Sequence, residues 1–222
     1  MIERLICLVI GYILGNFQTA YFYGKLQGID IREHGSGNAG TTNTLRVLGR
    51  KAGAIVFVGD VLKCALALGI AKAIFGESHA DIIYILTLYA ALGTILGHNY
   101  PAIIEFRGGK GMACTAGLMF SYHPWMLVAC VVIFATVFLT THYVSLGSLM
   151  VYAGFVAVMG ALCFTGALGA LSGAQIAELM ILAVFMAAMA YIRHWTNIKR
   201  LIKGTESKTY LSSKKRQKAD RV

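Results

Sequence analysis

At 222 residues, with 57% hydrophobic and 14% charged positions and a mean hydropathy of +0.67, the chain carries far more apolar groups than one soluble core needs. They come in runs long enough to cross about 30 Å of hydrocarbon, which excludes a soluble globular domain and predicts an all-α integral membrane protein. The formal charge of +10 belongs to a membrane surface and to phosphorylated substrates, with no nucleic-acid partner expected, and five scattered cysteines with no C-x-x-C pair suggest neither a disulfide framework nor a zinc site.

Leu5 to Leu26 is the first span; it is too long for a signal-peptide core and lacks a small-x-small cleavage site. A polar turn, Gln27-Gly28-Ile29-Asp30, leads to a first polar island from Gly35 to Arg46. Ala52 to Phe75 and Ile82 to Gly97 form an excursion and return, and a second island follows at Phe106-Arg107-Gly108-Gly109-Lys110-Gly111. Hydropathy then offers Ala113 to Tyr122, Trp125 to Thr140, Tyr143 to Phe164 and Ile176 to Ile192. These are broken at His123-Pro124, at Thr140-Thr141-His142 and over Gly166 to Gln175. A third polar stretch opens at Arg193.

Basic residues flank the first island, Arg107 and Lys110 lie in the second, and ten more crowd Arg193 to Arg221, whereas none lies between Met112 and Ile192. The positive-inside rule therefore sets all three polar stretches on the cytoplasmic face. Parity then requires an even number of crossings after the second island: four give seven spans, two give five. Seven is preferred, with the N-terminus outside and the C-terminus inside. Ala113 to Tyr122, about 15 Å of helix, is expected to be short or re-entrant, its N-terminal dipole aimed at the second island. Residues 1–206 read as one transmembrane domain and 207–222 as a basic, flexible tail.

The first island matches G-x-G-x-x-G over Gly35 to Gly40, with Asp60 twenty residues on, but a membrane span precedes it and Asp60 lies in an apolar helix, so a dinucleotide fingerprint is rejected. As chemistry it offers the hydroxyls of Ser36, Thr41 and Thr42, the amides of Asn38 and Asn43, and the fork of Arg46. The second island is not a Walker A loop, because Glu105 and Met112 stand where glycine and Ser/Thr belong. With Gly97-His98-Asn99-Tyr100-Pro101 just before it, its bare N–H groups, Arg107 and Lys110 suit a small phosphate ester. In the third stretch His194, Asn197 and Leu201 share one helical face. Asp60 and Lys63, one turn apart in an apolar span, are expected to pair inward and brace the first island from beneath.

These residues together carry a resemblance. The string from Gly35 through Asn43 to Arg46, then Asp60-Val61-Leu62-Lys63, Gly109-Lys110-Gly111 and His194 with Asn197-Ile198 resembles the acyl-phosphate:glycerol-3-phosphate acyltransferases, bacterial membrane enzymes of phospholipid synthesis. The likeness runs from the first span to Glu206, with Ala39, Thr41, Cys64 and Trp195 departing from the usual pattern. It implies that Ser36 and Arg46 are catalytic or substrate-orienting and that Gly108, Gly109, Lys110 and Gly111 bind glycerol 3-phosphate. His194 and Asn197 would act at the reacting centre and Glu206 would brace the third motif. Asn38, Thr41, Asn43, His98 and Arg107 join the substrate-binding set.

The implied reaction moves an acyl group from acyl phosphate to the 1-hydroxyl of glycerol 3-phosphate at the inner face of the bacterial cytoplasmic membrane. No metal and no cofactor is expected. The partners are the two substrates and the bilayer, with contact to the acyl-phosphate-forming enzyme left open. None of the six histidines begins H-x-x-x-x-D, so the acyl-CoA-dependent motif is absent; His98, His194 and the donor's own phosphate all stand as proton acceptors. The rivals fare worse. An anion channel would not collect its polar groups on one face, and a CDP-alcohol transferase needs clustered aspartates that this chain lacks.

Overall fold

A computed structural model describes residues 1–209. Among them the secondary structure is helical, with no strand: α1 (Ile2–Asn16), α2 (Thr19–Leu26), α3 (Thr41–Phe75), α4 (Ile83–Asn99), α5 (Met112–Tyr122), α6 (Pro124–Thr141), α7 (Val144–Phe164), α8 (Gly173–Arg193) and α9 (Trp195–Ile202). Six segments are long and apolar enough to cross a membrane: Ile2–Leu26, Thr41–Phe75, Ala80–Ile104, Pro124–Thr141, Val144–Phe164 and Gly173–Arg193. The segment expected to be short is short, since α5 has 11 residues, about 16 Å.

Two breaks divide what hydropathy reads as continuous. The first run is two helices, parted at Phe17 (ψ 111°) and Gln18 (ψ 89°). Carbonyls freed in hydrocarbon need partners. Lys63 Nζ supplies one to Phe17 O at 2.7 Å and one to Gly15 O at 3.4 Å, and Gln18 Nε2 donates to Gly15 O at 3.0 Å and Gly97 O at 3.3 Å. In α3 the interruption is Gly49, at φ 86°, a conformation that a side chain resists. It separates a short helix carrying the end of the first island from the membrane helix proper.

Helices pack through small residues because lipid offers no hydrophobic drive for helix association. Gly11 and Gly15 of α1 face Gly93 and Gly97 of α4, each pair in small-x-x-x-small spacing. A Cβ at any of the four would run into the opposing backbone, at the carbonyls of Ala90, Thr94, Leu8 and Tyr12 in turn. Gly117 brings α5 equally close to Val61 of α3. The core between α3, α4, α5, α7 and α8 is filled by Leu68, Ile85, Leu88, Leu118, Phe155, Met159, Leu179 and Met186, while Leu62, Leu66, Val131 and Ile181 point outward. All five cysteines are buried thiols.

At the end remote from the islands, Glu178 of α8 accepts from Arg4 Nε at 2.6 Å and Tyr89 Oη at 3.1 Å, tying α1, α4 and α8. At the near end the chain past α9 folds back. Lys208 lies over the Tyr143 ring, and Thr209 N donates to His142 O at 2.9 Å. The remainder of the expected tail, 210–222, lies outside the described residues.

Substitution tests the α1–α4 seam. Gly11→Val should cost at least the about 1–3 kcal/mol of overpacking, because the neighbour is backbone that cannot step aside. Gly69→Ala in α3, where a Cβ meets nothing within 4 Å, should gain about 0.5–1 kcal/mol of helix propensity. Thermal unfolding in detergent should put the first midpoint below the parent's and the second at or above it.

Candidate active site

The three polar stretches converge on a cleft of about 510 Å³, lined by Ser36, Gly37 and Asn38 of the first island, Tyr100, Arg107, Gly108 and Lys110 around the second, and Ile192, Arg193, Trp195, Thr196 and Arg200 from the third. Four cations and no carboxylate line it among the described residues. A larger groove of about 690 Å³, lined by Ile13, Leu14, Phe17, Leu62, Lys63, Ala65 and Leu66, is almost wholly apolar. Its single cation is committed to Asp60, so the polar chemistry belongs to the smaller cleft.

The first island is held by its own side chains. Asp30 accepts from Arg32 N and Nε at 3.0 Å and from Arg32 Nη2 at 2.8 Å, and these hydrogen bonds hold its carboxyl well below the usual range. Arg32 Nη1 also donates to Ile104 O at 3.1 Å, linking the approach to the first island with the turn before the second. Asn43, expected to bind substrate, does not reach the cleft: its Oδ1 accepts from Ser36 N at 2.8 Å and its Nδ2 donates to His34 O at 2.9 Å and Ile31 O at 3.2 Å. Both ends of the amide shape the loop. Thr41 heads α3 with its hydroxyl buried and unpartnered. Arg46 is exposed and does not line the cleft, though its charge bears on Lys110.

The second island is a sharp turn with Glu105 and Phe106 at φ 58° and 60°, left-handed values that non-glycine residues seldom adopt. Gly109 N donates to His98 O at 3.0 Å. A Cβ on Gly108 would strike the His98 carbonyl and the Pro101 ring, and one on Gly109 the His98 imidazole and the Ala39 carbonyl. The glycines let this loop lie directly on α4 and the first island. The expectation of bare N–H groups therefore holds only in part, since Gly109's is spent internally.

His98 is buried beneath that loop, its Nδ1 2.9 Å from Lys63 Nζ. An ammonium has only donors, so Nδ1 accepts and the ring proton sits on Nε2, toward Gly109. Lys63 Nζ is also 2.9 Å from Asp60 Oδ1, and Thr19 Oγ1 donates to the same oxygen at 3.1 Å. The inward pair expected from the spacing exists. Its partners are the α1–α2 break and His98, not the first island. Asp60, His98 and Cys114 also bring donor atoms within 4.8 Å of one another, with the Lys63 ammonium already between the first two.

The third motif is a chain of acceptors and donors. Lys110 Nζ donates to Asn197 Oδ1, whose Nδ2 donates to Glu206 Oε1 at 2.6 Å. Glu206 accepts further from Ser145 Oγ at 2.7 Å and Arg200 Nε at 2.6 Å. Burial alone would raise the Glu206 pKa, but these three hydrogen bonds outweigh it and lower it. Burial, reinforced by Arg200, Arg193 and Arg46, brings Lys110 down to about 8, against the pull of Glu206. Burial, then the Lys110 charge, brings His194 down to about 4. With His194 Nδ1 2.8 Å from Ala190 O, that nitrogen carries the proton and Nε2 has the lone pair. Arg193, Tyr100 and Arg200 were not among the sequence candidates; only the folded chain brings α8's last turn onto a loop some eighty residues earlier.

Fold and site together define a polytopic helical membrane enzyme with a cation-lined cleft. A family model described as glycerol-3-phosphate acyltransferase matches residues 5–204, and the chain belongs to that family. It is 40% identical to the glycerol-3-phosphate acyltransferase of Clostridioides difficile (strain 630), covering 92% of this chain and 94% of the relative. It is 39% identical to glycerol-3-phosphate acyltransferase 2 of Bacillus cereus (strain ZK / E33L), covering 97% and 100%. It is similar to two solved structures of PlsY (YgiH), an integral membrane glycerol 3-phosphate acyltransferase. The glycerol 3-phosphate form gives a TM-score of 0.79 at 29% identity over 93% of this chain and 96% of that one. The lysophosphatidic acid form gives 0.76 at 29% identity over 93% and 95%.

The lowered Lys110 pKa carries a pH signature. Below about pH 8 the ammonium is charged; above it the charge is lost, and the KM for glycerol 3-phosphate should rise by up to about tenfold per pH unit. In Lys110→Arg, whose guanidinium stays charged, that limb should vanish. Initial rates from pH 6 to 9.5 measure both.

Proposed function

We propose that this glycerol-3-phosphate acyltransferase takes its acyl group from acyl phosphate and places it on the 1-hydroxyl of sn-glycerol 3-phosphate, releasing 1-acylglycerol 3-phosphate (lysophosphatidic acid) and phosphate. The observation that carries this reading is the cleft lined, among the described residues, by four cations and no carboxylate, which suits two phosphorylated substrates held side by side. Acyl phosphate is an activated donor, so the enzyme's task is to align it with the hydroxyl and to stabilise the oxyanion. The hydroxyl oxygen bonds to the acyl carbon, the bond from that carbon to the phosphate oxygen breaks, and the proton leaves with the phosphate.

Two features favour the departing phosphate as proton acceptor. His98 has its Nδ1 tied to Lys63, and His194, at about 4, is a weak base. Ser36, His194 and Asn197 serve the reacting centre, with Asn38, Arg107, Gly108, Lys110 and Gly111 around the phosphates and Arg46, outside the cleft lining, acting through its charge. The six long segments plus α5 suit seven crossings, N-terminus outside and C-terminus inside, with the cleft on the cytoplasmic side of the bacterial inner membrane and the chain working in phospholipid synthesis.

Purified protein given glycerol 3-phosphate should turn over palmitoyl phosphate directly, without metal or CoA. Turnover of palmitoyl-CoA with none of palmitoyl phosphate would overturn the donor. Lys110→Ala should mainly raise the KM for glycerol 3-phosphate, whereas Ser36→Ala should lower kcat by about 10²-fold or more. Equal KM effects from both, with kcat untouched, would refute that division.

Topology has its own test. The native cysteines are buried, so single cysteines at Ser36, Arg107 and Ser207 can be read with a membrane-impermeant thiol reagent. All three should react only when the cytoplasmic face is opened. A Ser207 site labelled from outside would require an odd number of crossings after the second island.

A further inference from the structure

Arg193 ends α8, and its guanidinium turns back across the second glycine loop. Nε donates to Gly109 O at 3.1 Å, while Nη2 donates to Gly109 O at 2.6 Å and to Gly108 O at 3.2 Å. The same group lies 5.1 Å from the centre of the Tyr100 ring and lines the cleft. With the Gly109 N–H bond to His98 O, these contacts engage the Gly108 and Gly109 carbonyls and one of the loop's N–H groups. The N–H groups of Gly108, Lys110 and Gly111, and Arg193 Nη1, have no partner among the described residues.

A carbonyl oxygen turned toward a phosphate repels it, whereas a peptide N–H attracts it, so the loop binds an anion only if its carbonyls are drawn away. We propose that Arg193 is the positioning residue that does this: one edge of its guanidinium gathers the Gly108 and Gly109 carbonyls, which turns the free N–H groups, Lys110 and Nη1 toward the phosphate of a bound substrate. The planar fork is what the task needs, because a lysine in its place supplies charge but cannot hold two carbonyls in fixed register. The inference rests on reading the cleft as the phosphate site of the acyl transfer. The phosphate is that of glycerol 3-phosphate or of the acyl donor, and the two sources separate by experiment.

Arg193→Lys and Arg193→Ala are compared with the parent for kcat and for the KM of each substrate, with calorimetric titration of inorganic phosphate alongside. Lys203→Ala, which removes an exposed charge at the end of α9 that does not line the cleft, controls for the general field. Both Arg193 variants should raise one KM by about 10- to 100-fold, and millimolar guanidinium ion should partly restore Arg193→Ala. A rise confined to glycerol 3-phosphate assigns the cradle to the acceptor; one confined to acyl phosphate assigns it to the donor. Parent-like KM values and phosphate affinity in Arg193→Lys, or an equal effect from Lys203→Ala, would overturn the proposal. If Arg193→Ala does not fold, the Lys variant decides. A parent that binds phosphate but turns over no acyl phosphate would sink the donor reading and leave the Arg193 test standing, read by calorimetry.

Discussion

A helix that breaks inside hydrocarbon exposes carbonyls that water would otherwise satisfy, and each orphan costs several kcal/mol. In this protein the cost at Phe17 falls on one ammonium. Lys63 Nζ reaches the Phe17 and Gly15 carbonyls, Asp60 and the His98 ring. Three helices and the floor of the second glycine loop thus share one buried charge. Burying a lysine is unfavourable unless its proton is held by good acceptors, and here the acceptors are the groups that the break and the loop leave in need of a donor.

The cleft above is built on the opposite logic. Cations gather there with little to neutralise them, and the nearby carboxylate of Glu206 is engaged by Ser145, Asn197 and Arg200. Burial first, and then the surplus of charge, depresses Lys110 and His194 below their ordinary values. An anionic substrate offsets the repulsion among these cations, which adds to its affinity.

What the sequence discloses follows what a single chain segment can encode. Hydropathy marks the apolar segments because each must meet lipid on its own, and the shortness of α5 is visible for the same reason. The break at Phe17-Gln18 is not, since nothing in an apolar run announces that a lysine 46 residues later will donate to its freed carbonyl. Asp60 and Lys63 betray their pairing by a spacing of one turn, yet their contact with His98 exists only once α3 and α4 are packed. Asn43 shows the same limit from the other side. An amide in a glycine-rich loop looks equally fit for a ligand or for the loop's own backbone, and only the fold distinguishes them. Arg193 reads as one more charge of a basic tail until α8 delivers it to Gly108 and Gly109.

The last link of the Lys110–Asn197–Glu206 chain lies beyond α9, and Ser145, which shares Glu206, stands at the start of α7. During synthesis, therefore, the glycine loop is made and inserted long before the residues that orient its lysine. A chain stopped at the end of α8 would hold every apolar span and the first two motifs while its lysine waited unanchored. The hydrogen bonds that orient this lysine can form only once the final polar stretch, through Glu206, has left the ribosome and folded back onto Asn197 and Ser145.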